Sequence, residues 1–167
     1  RTCLVGSEMC IRDRDGRVSY RNRWVQTQQW LLEREAGRAL FSIFNPIEQD
    51  PSVAGLKTDG VANTNIIWHG GKLLALEEGH APFELDPISL ESRGSHDYAG
   101  KLQGPMTAHP KIDHETGEML FFGYNADGGI SSQMTFNVVN RDGVLTNSEG
   151  FKAPYAAMVH DLSLIHI

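Results

Sequence analysis

Cysteine is scarce: Cys3 and Cys10 are the whole complement of these 167 residues, and both sit near the N-terminus. With nothing else to pair with or to complete a ligand set, they support neither a disulfide framework nor a zinc knuckle. A surplus of positive charge is also missing, since 15 Lys and Arg against 21 Asp and Glu leave a net charge of −6. That excludes a nucleic-acid groove, which needs concentrated basic surface. No apolar run approaches the ~18–20 residues of a bilayer-spanning helix, and the start of the chain lacks the order of a signal peptide, so a cytoplasmic location is expected. HExxH, a glycine-rich phosphate loop and a Ser/His/Asp order are absent too, which leaves hydrolase and nucleotide chemistry without positive support. What remains, 40% hydrophobic and 22% charged residues, is the composition of one ordinary globular domain.

The two ends read differently from the middle. Residues 1–14 carry no period of 2 or 3.6 and no link to the pattern that follows. CLVGSEMCIRD, together with Ser163–Ile167, resembles translated sequencing adapter of the kind that flanks assembled metagenomic fragments. The expected organisation is therefore a non-native segment over 1–14, a domain over 15–162 and a non-native tail over 163–167, with the gene continuing in at least one direction. A genuine N-terminal arm and a short final strand are the alternative.

Thr27–Phe41 is rich in helix formers, with apolar residues at 31, 32, 36, 39 and 40, and predicts one short helix. Asn45–Gly60 reads as a loop. The rest is hairpin grammar: strands at Asn65–Trp68, Leu73–Glu77 and Phe83–Leu85 around a Gly70-Gly71 turn, then Met119–Tyr124, Met134–Val139 and a strand from Val144 after the turn Asn140–Gly143. Setting Lys72-Leu73-Leu74 against Glu118-Met119-Leu120 gives an offset of 46 residues. A period of about 40–50 with hairpins inside each unit fits propeller blades, and a β-sandwich is the alternative.

Two of the seven histidines ask for explanation. His109 lies in an apolar-flanked stretch directly before Pro110, and His160 ends the run Ala156-Ala-Met-Val159, which reads as a buried strand. Glu78 follows the apolar Leu73-Leu-Ala-Leu76 and Glu77, where a carboxylate is costly to bury without a partner. Metal-bound imidazoles commonly give their second N–H to such a carboxylate. Core histidines and a solvated strand end remain the alternative reading. His69, His80, His96 and His114 lie beside turn residues and are expected to be exposed. Trp68, Phe121, Phe122, Tyr124, Phe136 and Tyr155 are aromatics expected to be core.

In order along the chain stand Val61-Ala-Asn-Thr-Asn-Ile66, His69-Gly-Gly-Lys-Leu-Leu-Ala-Leu-Glu-Glu78, Phe83-Glu-Leu-Asp-Pro87, Thr107-Ala-His-Pro-Lys111, Phe122-Gly-Tyr124 and Met158-Val-His-Asp161. Taken together they resemble the carotenoid oxygenase family, which includes bacterial apocarotenoid and lignostilbene dioxygenases. Val18–Arg23 and Glu33–Leu40 look like its bacterial branch. The resemblance implies an all-β fold, a few blades of a seven-bladed β-propeller with a short N-terminal helix. It further implies a non-haem Fe(II) held by four histidines, three of them steadied by glutamates. By motif, His109 and His160 correspond to the first two metal ligands and Glu78 to the first steadying glutamate.

The implied chemistry uses O2 to cleave a conjugated C=C bond of an apolar carotenoid, apocarotenoid or stilbene into two carbonyl products. The third and fourth histidines and two of the glutamates have no counterpart here, and Leu162 replaces the expected Phe. Seven blades need about 300 residues, so the isolated chain is expected to be inactive, poorly stable and prone to edge pairing. The alternative is a non-catalytic propeller segment that binds an apolar ligand or protein partner. Oligomeric state is not legible, and peripheral membrane contact in the full protein is left open.

Overall fold

The computed structural model describes residues 10–14, 17–42 and 49–161, with side chains from residue 20 onward. Cys3, Leu162 and the tail 163–167 lie outside the described residues.

The described residues start with β1 (Cys10–Arg14) and β2 (Arg17–Arg21), paired antiparallel with Arg14 opposite Arg17. Within the stretch without hydrophobic period, Cys10–Arg14 thus forms a strand when paired. The helix α1 spans Gln28–Ala36, shorter than the composition predicts at both ends. Thr27 caps its start, the hydroxyl accepting from the Trp30 N–H at 3.2 Å, and Asp59 accepts from the Gln28 N–H at 2.7 Å. Gly37, at φ 66°, ends it in the left-handed conformation that glycine adopts without Cβ strain. Beyond it the Glu33 carboxylate accepts from Leu40 and Phe41 N–H, so the chain turns away. No residue of α1 is buried; Leu40, past its end, is.

After a short 3-10 turn at Pro51–Val53 come two four-stranded antiparallel meanders. The first is β3 (Asn65–His69), β4 (Lys72–Leu76), β5 (Phe83–Leu85) and β6 (Ser92–Ser95). The second is β7 (Lys111–Ile112), β8 (Met119–Tyr124), β9 (Gln133–Val139) and β10 (Leu145–Lys152). Each sheet runs in chain order, which is blade topology rather than the strand exchange of a sandwich. The edge strands β6 and β7 escape a sequence reading because Ser-Arg-Gly-Ser and Lys-Ile carry no alternation; pairing with β5 and β8 makes them strands.

Side-chain alternation along β4 sorts its residues onto two cores. Leu74 and Leu76 point to the second sheet and pack with Met106, Ala108, Met119, Phe121, Val139 and Leu145. Ala75 points the other way, with Val25, Ala62, Phe83 and Leu85, so the first sheet is covered on both faces. Register agrees, because Ile67 stands opposite Leu74 and Phe83 opposite Ala75. Each of the buried Val, Leu, Phe and Met side chains among these contributes about 1.5–3 kcal/mol.

At one end the hairpin turns of the two blades meet. A Cβ on Gly70 would strike the Gly143 backbone, and both glycines have positive φ, 54° and 82°. His69 beside them is buried, not exposed, with its Nε2 2.9 Å from the Gly117 carbonyl. His96 is half-buried and edge-on to Tyr98 at 4.5 Å between centroids, and His80 contacts Glu77. Trp68 and Tyr155 are exposed rather than core, at 56% and 73%.

Gly71, at φ 73°, has open space where a Cβ would go. Gly71→Ala is therefore expected to cost about 1–2 kcal/mol, the penalty of a left-handed alanine. Gly70→Ala is expected to cost about 1–3 kcal/mol more because the facing turn must shift. Equal denaturation midpoints for the two variants would show that the blade turns do not touch.

Candidate metal centre

Glu78 stands two residues beyond β4, at the end of the first sheet nearest the second. Its side chain is 15% exposed, and both carboxylate oxygens are buried without an aligned hydrogen bond from any described residue. Burial is the main cause of a pKa pushed above the ordinary carboxylate value. The His160 ring, the Ala108 N–H and the His109 ring pull it down, in that order, and Glu77 pushes it up again. A buried acceptor left in this state is costly, and a nearby cation would offset the cost.

His109 is held by the strip 105–109, which runs between the two blades. The Met106 N–H bonds the His80 carbonyl of the first blade at 3.0 Å, and the Thr107 N–H bonds Phe122 of β8 at 2.9 Å. The Ala108 carbonyl then accepts from the Asn65 amide of β3 at 2.8 Å. Gly123 lets this strip come close, since a Cβ there would collide with the Pro105 carbonyl. The His109 N–H is satisfied by the Thr107 hydroxyl at 3.2 Å.

His160 lies on an irregular segment beyond β10, not on a buried strand. The apolar run before it finds no partner strand among the described residues, so Met158 is 71% exposed and the His160 side chain 58%. Contacts that hold the segment include the Ala153 N–H on the Ser132 carbonyl at 2.8 Å and, as a second, Lys111 on Asp161 at 2.9 Å. The second joins residues that neighbour His109 and His160, at a separation of 50 residues that no local pattern could reveal.

The three residues singled out in the sequence therefore meet. His109 Nε2 is 3.2 Å from His160 Nε2, the rings edge-on at 4.6 Å and 78°. Glu78 Oε1 is 3.2 Å from His160 Nδ1 and 4.0 Å from His109 Nε2. All three residues offer ligand atoms within 4.8 Å of one another. Two imidazole nitrogens bound cis to one ion at about 2.1 Å would stand roughly 3.0 Å apart, so the observed spacing fits a shared cation. Without one, an Nε2–H of one ring can point at the lone pair of the other. Glu78 is nearer the remaining nitrogen of His160 than His109, which is the order of a carboxylate that steadies one ring.

The other described histidines stand outside this group. Phe121 is buried between the blades and Phe122 on the far face of β8. Tyr124 lines a cleft with Met134, Pro154, Tyr155 and Val159, next to His160. Burial, then the charges of Glu78 and Glu77, push its phenol pKa up. Asn65, Thr107 and Lys111 were not singled out by sequence reasoning; all three lie inside the motifs that carry the resemblance, and that was the available signal.

Comparison with known proteins agrees with this picture. The chain is 46% identical to isoeugenol monooxygenase of Pseudomonas putida over 152 residues, 90% of this chain and 32% of that protein. The structure matches lignostilbene dioxygenase of Pseudomonas brassicacearum with a TM-score of 0.82 and 38% identity, over 90% of this chain and 32% of that one. It also matches a cobalt-substituted apocarotenoid oxygenase of Synechocystis, at a TM-score of 0.71 and 31% identity, over 88% of this chain and 33% of that one. The chain thus spans about a third of the length of the relatives it matches. Their fold makes the two meanders consecutive blades of a partial propeller. The model of the retinal pigment epithelial membrane protein family matches residues 6–164, and with that match, the two blades and the gathered His/Glu group, the chain belongs to the family of carotenoid oxygenases.

Proposed function

We propose that this chain is part of a non-haem Fe(II) dioxygenase that cleaves a conjugated C=C bond of an apolar substrate into two carbonyl products. The observation that carries this reading is the 3.2 Å approach of the His109 and His160 Nε2 atoms beside buried Glu78. Among substrates of that class, the similarity to isoeugenol and lignostilbene oxygenases favours an aryl alkene. A cytoplasmic location belongs to the same proposal. No described helix is long and apolar enough to cross a membrane.

His109 and His160 would hold the metal through Nε2. Glu78 would accept the Nδ1–H of His160, fixing the tautomer that leaves Nε2 free to bind. When bound, Fe(II) supplies a site for O2 and the redox chemistry of the cleavage. The protein residues supply position and environment. The strip 105–109 holds the His109 ring stiffly between the blades. The Lys111–Asp161 ion pair ties the His160 segment to β7. Buried Glu78 keeps negative charge next to the rings, which raises their basicity as ligands.

Two imidazoles are fewer than the four that the family resemblance implies, so weak metal binding and no turnover are expected from the 167 residues alone. Co(II) titration followed by absorption should give a spectrum that His109→Ala and His160→Ala each abolish. Glu78→Gln should weaken binding by roughly 10–100-fold. Uptake indifferent to all three would overturn the metal assignment. With Fe(II), O2 and isoeugenol the chain should yield no aldehyde above a metal-only control, and measurable turnover would show that these two blades suffice.

We further propose that residues 15–162 are the native stretch and that 1–14 and 163–167 derive from adapter. Adapter-trimmed reads of the source DNA should diverge from the present sequence at those two boundaries. Reads that run through Arg14 and Ser163 unchanged would make both ends authentic.

A further inference from the structure

Within the motif Val61–Ile66, Asn65 has no part in the ligand set, yet its side chain reaches the residue next to His109. It opens β3 in the first blade and uses both halves of its amide. The oxygen accepts from the Ile66 N–H at 2.8 Å, which fixes the rotamer. The nitrogen donates to the Ala108 carbonyl, also at 2.8 Å, across 43 residues of sequence. Ala108 is wholly buried, and its own N–H is one of the groups that lower the Glu78 pKa. One peptide plane therefore faces Asn65 on its carbonyl side and carries His109 directly after it. The N–H of this same peptide, that of His109, goes to the Thr107 hydroxyl within the strip, and the peptides before it bond to backbone, so Asn65 supplies the contact that ties this plane to the first blade.

We propose that Asn65 is a positioning residue of the His/Glu centre. Its amide sets the orientation of the Ala108–His109 peptide, and so the direction in which the His109 ring meets His160. This rests on reading the centre as a metal site, but the ring geometry it asserts exists without metal. An asparagine at this place acts to the same end as the carbonyl acceptors behind metal-binding histidines, but on the preceding peptide and not on the ring: it removes a backbone rotation that would otherwise blur the ligand direction.

The test uses the full chain with Asn65→Ala and Asn65→Asp. The second keeps size and the acceptor for Ile66 but puts an acceptor against the Ala108 carbonyl. Asn63→Ala is the neighbouring control and His109→Ala the ligand control. In the metal-free chain, proton NMR should give a ring-to-ring contact between His109 and His160 that both Asn65 variants lose and Asn63→Ala keeps. Co(II) affinity should fall roughly tenfold in the Asn65 variants, with a changed visible spectrum, as is typical when a group behind a ligand is lost. Thermal unfolding read in parallel separates this from loss of fold, which would abolish the dispersed spectrum altogether. Folded Asn65 variants with the ring contact and Co(II) spectrum of the parent chain would overturn the proposal. If His109→Ala leaves Co(II) uptake unchanged, the metal reading fails while the metal-free ring contact still decides the role of Asn65.

Discussion

The centre depends on the strip 105–109 threaded between two sheets. Its peptides bond alternately, Met106 to the first blade, Thr107 to β8 and Ala108 back to β3, so the strip cannot follow one blade without straining the other. Its side chains point into the same seam: Met106 and Ala108 belong to the core shared by Leu74, Leu76, Met119, Phe121 and Val139. Hydrophobic burial brings the blades together without direction, and the alternating hydrogen bonds add the direction. Glu78 at the end of β4 and His109 at the end of the strip are then fixed relative to each other by packing that has no chemistry of its own.

Against that rigid pair, His160 is the loosely held member. It sits on coil and is more than half exposed, with one ion pair on the surface beside it. Surface pairs of this kind contribute little, about 0–1 kcal/mol. The centre thus has one half fixed by the seam between the blades, Glu78 and His109, and one half carried on coil, His160. The electrostatics favour a cation here: among the described residues no aligned donor reaches the buried carboxylate, and two ring nitrogens stand where one proton or one ion would bridge them.

How much of this was legible in the sequence follows from the range of each interaction. Continuous apolar runs such as Leu73–Leu76 and Met119–Tyr124, bounded by turn residues, announced strands because a sheet covered on both faces needs apolar side chains on each. Gly37 was a readable stop signal for α1, and the longer helix expected from composition overrode it. Ser92–Ser95 and Lys111–Ile112 could not be read, since they are strands only because a neighbour pairs with them. The same holds for the centre. His109 and Glu78 carried local cues, a proline after the first and an apolar strand before the second. His160 misled, because an apolar run of Ala, Ala, Met and Val reads as buried whether or not a partner strand covers it. Asn65 and the Lys111–Asp161 pair act across 43 and 50 residues, beyond the reach of any local pattern.

The division of labour also bears on how such a centre selects a metal. Rings fixed near cis spacing suit ions that accept nitrogen donors at about 2.1 Å, a group that includes Fe(II), Co(II) and Zn(II), and affinity alone does not separate them. Selection then falls to the number and charge of the remaining ligands and to how many positions stay open. Glu78 matters here by standing beside the Nδ1 atom of His160: a carboxylate kept behind the ring leaves the ion its full positive charge, whereas one moved into the ligand set would neutralise half of it. On the proposed metal reading, holding Glu78 back would therefore be a choice of reactivity as well as of geometry, and its 3.2 Å approach to His160 Nδ1, shorter than the 4.0 Å to His109 Nε2, is what favours it.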